Sequence, residues 1–232
     1  MRKKTLVSWS SGKDSAWLVH VLRSTRDFEL GALLTTVNES AQRVAMHAVR
    51  TELLEAQADA LGLPLWSVPI PHPCPNEAYE RAMSEAVARA VAGGFTHVAF
   101  GDLFLEDVRR YREEQLAGTG LTPVFPLFGV DTPALAREMI AEGLGARLTC
   151  VNPKSLDRSF AGREFDARLL DDLPPGVDPC GERGEFHTFA YRGPMFRQPI
   201  PVETGIVVER DGFVFADLIR SGSSVHSGPV SK

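Results

Sequence analysis

The sequence predicts an α/β protein with a doubly wound parallel sheet, followed by a smaller C-terminal α+β part. Three observations point there. Strand-like and helix-like runs alternate through the first hundred residues, Leu30 to Val37 is almost unbroken apolar, and the helical runs end on glycine or proline punctuation. Strand–helix units in series wind with right-handed crossovers, so helices cover both faces of one sheet.

In order, Thr5 to Trp9 is a short β-rich run, and Ser15 to Leu22 carries apolar residues at helical spacing. Leu30 to Val37 is the second strand. Arg43 to Leu61 reads as a helix stopped by Gly62, with Pro64 beyond it. Leu65 to Ile70 is a third strand, and Asn76 to Val91 a helix with Asn76 as N-cap and Gly93-Gly94 as its stop. Thr96 to Gly101 is a fourth strand. Val124 to Phe128 is read as a fifth, and Asp131 to Gly143 as a helix capped by Asp131 with Pro133 in its first turn. Ala146 to Val151 is a strand and Arg163 to Leu173 a helix. A loop dense in Pro, Gly and acids runs from Pro174 to Glu185. Asp211-Gly212, between alternating apolar runs, is the type I′ hairpin signature.

Composition limits the function. The 232 residues carry 25 basic and 30 acidic side chains, a net charge of −5, with 44% hydrophobic and 24% charged content. That is an ordinary globular balance, long enough to build a core without metal or disulfides. Acidity spread along the chain argues against a protein that clamps nucleic-acid backbone. Cys74, Cys150 and Cys180 are far apart and form no CxxC pair, which argues against a disulfide framework or a zinc ribbon. No apolar run has signal-peptide shape or approaches the ~20 residues of a membrane span, so no membrane partner and a cytoplasmic location are expected.

Ser10-Ser11-Gly12-Lys13-Asp14-Ser15 falls where an open α/β sheet places its ligand, after the first strand and at a helix start. Small residues let backbone approach an anion, Gly12 can take a positive φ, and the helix N-terminus offers unpaired N–H groups. Taken alone, the run is equally a plain helix start. The Walker spacing and the Gly-x-Gly-x-x-Gly dinucleotide fingerprint are both absent.

The run resembles the PP-loop, Ser-Gly-Gly-x-Asp-Ser, of the ATP pyrophosphatases, with Ser11 in place of the motif's first glycine. A second segment, Val177-Asp-Pro-Cys-Gly-Glu-Arg-Gly-Glu-Phe-His-Thr-Phe followed by Gly193-Pro-Met-Phe, resembles the Gly-Glu-x-Gly-Glu-Tyr/Phe-x-Thr segment of the diphthine–ammonia ligase family. The stretch from His47 to Pro64, Gly101-Asp102 and Arg112-x-Glu114 agree with it, so the resemblance spans about residues 5–218. It implies a PP-loop ATP-binding domain over 1–120 and a substrate-binding domain over 121–220, while the Ser- and Gly-rich residues 221–232 read as a flexible tail. It also implies an ATP-dependent ligase that adenylates a carboxylate, releases pyrophosphate and then transfers ammonia or an amine with release of AMP. A basic complement of 20 Arg against 5 Lys suggests a GC-rich, bacterial genome. Bacteria are not expected to make diphthamide, so the acceptor, a small-molecule or protein-borne carboxylate, is left open. So is a homodimer. Two other readings remain: a non-catalytic ATP-binding regulator and a tRNA-modifying PP-loop enzyme.

Residue by residue, the resemblance implies ATP binding by Ser10, Ser11, Gly12, Lys13, Asp14, Ser15, Gly101 and Asp102, with Asp14 as a Mg²⁺ ligand. Lys13, Asp14, Glu182 and Glu185 are the expected catalytic residues. Arg109, Arg112, Glu114, Gly181, Glu182, Gly184, Glu185 and His187 are the expected substrate contacts. Glu182 and Glu185, three apart around Gly184, can point into one pocket and attract or deprotonate ammonium. Without the resemblance they read as a charged surface turn, Asp102 as a helix cap and Arg109–Arg112 as an exposed face.

Overall fold

Residues alternate sides along the first strands. Val7, Leu33 and Ala99 enter one hydrophobic cluster, while Leu6, Ala32, Leu34, Val98 and Phe100 enter another. Such a sheet is buried on both faces, which is why its strands read as continuous apolar runs. A computed structural model describes residues 2–38, 43–44, 49–71 and 73–221. His47 and residues 222–232 lie outside the described residues.

In chain order the first half comprises β1 (Lys3–Ser8), α1 (Lys13–Ser24), β2 (Phe28–Asn38), β3 (Arg43–Val44), α2 (Thr51–Leu61), β4 (Leu65–Ile70), α3 (Asn76–Ala92), β5 (His97–Ala99), α4 (Glu106–Leu116) and β6 (Thr122–Val124). The parallel order is β4-β2-β1-β5-β6, and β3 adds antiparallel to the end of β2. Both outer strands carry a proline, Pro69 in β4 and Pro123 in β6, where among the described residues no ladder partner needs the missing N–H. Helices α1 and α2 supply Trp17, Leu18, Leu53 and Leu54 to the first cluster, and α3 and α4 supply Ala86, Ala90 and Leu116 to the second. The doubly wound prediction is therefore correct.

The second half holds α5 (Thr132–Ala141), β7 (Gly145–Val151), α6 (Ala167–Asp172), β8 (Phe186–Arg192), β9 (Val202–Arg210) and β10 (Phe213–Arg220). Its sheet is antiparallel in the order β8-β7-β10-β9. Phe186 and Phe189 of β8 join Trp17 and Leu18 in the first cluster, so this sheet covers the α1–α2 side. Arg50 at the head of α2 locks to Asp217 of β10 through two hydrogen bonds, 2.6 and 3.2 Å. The predicted hairpin turn is present, with Asp211 at φ 52° and Gly212 at φ 79°.

Several predicted boundaries are corrected. Arg43-Val44 pairs with Asn38-Val37, so the second helix starts at Thr51. Pro75, with its fixed φ, caps α3, and Asn76 is its first helical residue. The fifth strand ends at Val124, since it has only the three residues of β5 to pair with, and Phe125 instead stacks on Phe100. The helix expected from Arg163 is delayed to Ala167. Arg163 and Phe165 exchange backbone hydrogen bonds with Leu148 and Ala146 of β7 at 2.9 and 2.7 Å, and the Asp166 side chain then caps α6. Strand β8 follows the Pro174–Glu185 loop directly and is an element that the sequence reading does not include.

Candidate active site

The loop between β1 and α1 is held by its own hydroxyls and by the second sheet. Ser10 Oγ donates to Ser15 Oγ at 3.1 Å and accepts from Gly12 N, while Ser15 Oγ also donates to Gly12 O at 3.0 Å. The Ser11 carbonyl accepts from Ala190 N of β8 at 3.0 Å and from Gln57 Nε2 of α2 at 2.9 Å. Lys13 N donates to Thr188 Oγ1 at 3.0 Å. The left-handed residue is Ser11, at φ 68°, while Gly12 is extended at φ −80°, ψ 172°. This corrects the expectation that Gly12 makes the turn. Gly101 serves a different need, because a Cβ there would sit 3.2 Å from the backbone of Asp14.

The second loop is built the other way round, by carboxylates that accept from backbone. Asp178 Oδ2 accepts from Glu182 N at 2.9 Å, and Oδ1 accepts from the Thr132 hydroxyl at the head of α5. Glu185 Oε1 accepts from Asp178 N at 3.0 Å and Oε2 from Arg183 N at 2.9 Å. Gly181, at φ 71°, packs so closely that a Cβ would meet Phe186 O at 2.8 Å. Glu182 leaves the loop and accepts from Leu103 N at 2.8 Å.

These loops wall one cavity of about 260 Å³, lined among others by Ser10, Lys13, Asp14, Ser15, Gly101, Asp102, Arg112, Gly181, Glu182 and His187. Ten of the expected residues thus come together. An apolar cavity of about 430 Å³ adjoins it, reaching under α3 and α4 past Leu6, Met83, Val87 and Leu116. Ser8, Ser10, Phe100, Arg112 and His187 line both.

The remaining expected residues do not line the smaller cavity. Ser11 is buried beneath the loop, and Gly12 is not part of the wall. Arg109 pairs with Glu113 at 2.9 Å and lies over Phe125 and Phe128, so it does not share a face with Arg112. Glu114 is exposed, Gly184 supplies a turn at φ 82°, and Glu185 is enclosed at 4% exposure with both oxygens engaged. Asp102 caps no helix: it accepts two hydrogen bonds from Arg112, at 2.6 and 3.2 Å, and Leu105 caps α4.

Charge in the cavity is closely paired. Burial lowers the affinity of Lys13 for its proton, but Asp14, with Cys180 and Glu182, outweighs it and holds the ammonium above its ordinary pKa. Burial pushes the Asp14 carboxyl above the usual aspartate range. Burial, with Asp14 and Asp102 nearby, raises Glu182 to about 7 against the pull of the Leu103 N–H and Lys13. Burial and the Lys13 charge lower His187 to about 4, so its ring is neutral at physiological pH. Cys180 is buried and its thiol is pushed well above the ordinary range, first by burial. Among the described residues no three His, Cys, Asp or Glu side chains form a metal cluster. A magnesium ion commonly takes only one or two protein carboxylates and completes its shell with water and phosphate oxygens. Asp14 is the carboxylate this loop presents to such a shell, and both its oxygens accept from Lys13 Nζ, at 2.9 and 2.8 Å.

Sequence reasoning missed Asp178, Thr132, Gln57 and Thr188. Asp178 and Thr188 both stand in the Val177–Phe189 segment and Gln57 in the His47–Pro64 stretch, which is the signal they carried; their duties, and that of Thr132, rest on contacts that no spacing rule exposes.

The diphthamide synthase N-terminal domain model matches residues 3–119, and the diphthamide synthase C-terminal domain model matches residues 131–217. The diphthine–ammonia ligase of Danio rerio is 36% identical over 121 residues, covering 49% of this chain and 47% of the relative. That of Homo sapiens is 30% identical over 124 residues, covering 49% and 45%. The chain spans about half the length of the curated relatives it matches. No described helix is long and apolar enough to cross a membrane. With both domain models matched in order along its length, the chain belongs to the diphthamide synthase family.

Proposed function

We propose that this chain is an ATP-dependent, AMP-forming carbon–nitrogen ligase, with residues 1–120 binding ATP and 121–220 presenting the acceptor. A substrate carboxylate attacks the α-phosphorus, the α–β phosphoanhydride breaks, and pyrophosphate leaves an acyl-adenylate. Ammonia or an amine then attacks the acyl carbon, expels AMP and leaves an amide. The observation that carries this reading is the single cavity walled by both signature loops, with Glu182 and the Ser10–Ser15 helix start facing it.

Each half-reaction has a wall. The α1 N-terminus suits the phosphates, with the Ser10 and Ser15 hydroxyls holding its loop in shape, and Arg112 adds a guanidinium where the two cavities meet. The apolar cavity beside them suits the nucleoside. Glu182, with a pKa of about 7, is tuned to take a proton from an ammonium near neutral pH. Asp14 would hold Mg²⁺, which supplies charge neutralisation on the polyphosphate. The relatives' name supports diphthine as one acceptor class; the chemistry asks only for a carboxylate.

Incubation with labelled ATP, Mg²⁺, ammonium and fractionated carboxylate extracts tests the proposal. AMP and pyrophosphate formed in equal amounts, and only with a carboxylate-bearing fraction, are expected. ATP bound intact under every fraction would make the chain a nucleotide-responsive regulator instead. Salt-sensitive tRNA binding would favour a tRNA-modifying enzyme.

A further inference from the structure

We propose that Lys13 is a positioning residue, a buried strut that fixes the Gly181–Glu185 loop and its Glu182 against the PP-loop, rather than a ligand for a nucleotide phosphate. The strut rests on geometry; only its consequence for turnover rests on the ligase reading above.

An ammonium has three protons to donate. Both oxygens of Asp14 accept from Lys13 Nζ, at 2.9 and 2.8 Å, and the carbonyl of Cys180 accepts as well. The rings of Phe165 and Phe186 flank the same nitrogen at 5.5 and 5.6 Å, and the side chain is 2% exposed. A phosphate could reach this nitrogen only by displacing one of those partners. Displacing Asp14 would strand a largely enclosed carboxylate beside its former counter-ion, which is costly. Displacing the Cys180 carbonyl would release the second loop.

That second contact ties Lys13 to Glu182. Cys180 immediately precedes the left-handed Gly181, whose N–H donates to Asp178 O at 2.8 Å, and Glu182 follows. A shift of the Cys180 carbonyl therefore moves Glu182 relative to Leu103 N, its hydrogen-bond donor. The Lys13 charge also favours the ionised form of Glu182. Lys13 thus spans the sequence between the phosphate side and the amine side of the cavity, and it holds the acceptor loop in place before any nucleotide arrives.

The test uses Lys13→Met, similar in length and uncharged. Hydrogen exchange on the nucleotide-free protein and calorimetric titration with a non-hydrolysable ATP analogue are the primary readouts. The strut predicts at least tenfold faster exchange at the amides of residues 181–185, and a dissociation constant for the analogue within about threefold of wild type. It also predicts a lower kcat for AMP formation at unchanged KM for ATP. The pH at which the rate rises should move upward, because Glu182 loses a neighbouring positive charge. A tenfold or greater loss of analogue affinity, or unaltered loop exchange, overturns the proposal. Should Lys13→Met fail to fold, Lys13→Met/Asp14→Asn removes both charges without stranding either, and the same exchange comparison decides. If wild type does not bind the analogue, the ligase reading fails while the exchange measurement still judges the strut.

Discussion

Residues 10–15 and residues 178–185 face each other across one cavity and use their polar groups in opposite senses. In the first loop, hydroxyls bond to one another and to backbone, and its charged groups, Lys13 and Asp14, neutralise each other. In the second, Asp178 and Glu185 accept from three backbone N–H groups of their own loop, and only Glu182 is left to face the cavity. Two glutamates around a glycine look equivalent in the sequence. One holds the loop's shape, and the other faces the cavity.

The largest expected effect lies on the phosphate side. Asp14→Asn should lower AMP formation by about 10²–10³, the range for losing a well-placed electrostatic group at a reacting centre. Pyrophosphate release measures it, with circular dichroism to check the fold, and normal turnover would remove this loop from the reaction.

The two glutamates should then separate. Glu185→Gln sets an amide NH₂ against a backbone N–H that now has an acceptor, and should cost about 2–3 kcal/mol. At roughly 2–4 °C per kcal/mol for a chain of this size, the melt should fall by about 4–12 °C. Glu182→Gln keeps an oxygen for Leu103 N, so it should leave the melt within a few degrees while slowing amide formation. Equal destabilisation by both would erase the distinction drawn between them.

Acid–base linkage offers a finer comparison. Glu182 holds its proton more tightly folded, at about 7 against an ordinary 4.5, so its contribution is full below about pH 4.5 and lost as pH rises through 7. His187 is shifted the other way, to about 4 from 6.5, so its contribution is present above pH 6.5 and lost as pH falls through 4. Between about pH 4.5 and 6.5 the two slopes oppose. In Glu182→Gln only the histidine slope remains, and melting temperature should climb more steeply with pH across that window than in wild type. Parallel curves would mean that Glu182 titrates normally.

The parallel sheet was legible because both its faces are buried and its helices carry clear stops. The boundaries that failed were set by partners distant in sequence: Arg43-Val44 by the end of β2, and Arg163 to Phe165 by β7. At the site, residue types located the cavity but not the duties within it. Nothing near Lys13 in the sequence announces Phe165, Phe186 or the Cys180 carbonyl, and nothing near Glu185 says that both its oxygens are already engaged. Local pattern records which groups are available, and long-range packing decides how they are used.

The smallest effect concerns the turn itself. The second loop places glycine at both its left-handed positions, Gly181 and Gly184, whereas the first places Ser11 there, with its hydroxyl buried and without a hydrogen-bond partner. A left-handed L-residue costs roughly 1–2 kcal/mol, and an unpaired buried hydroxyl adds about 1–3 kcal/mol. Glycine gives back about 0.5–1 kcal/mol through its freer unfolded state. Ser11→Gly should therefore stabilise the protein by at least about 1 kcal/mol, a rise of at least about 2 °C in melting temperature. Analogue binding should be unchanged, since the Ser11 carbonyl, and not its side chain, bonds to Gln57 and Ala190. A gain in stability with binding intact would show that the two loops reach the same backbone geometry and that only the first pays for it in strain. A loss of analogue affinity would instead assign the Ser11 hydroxyl to the ligand.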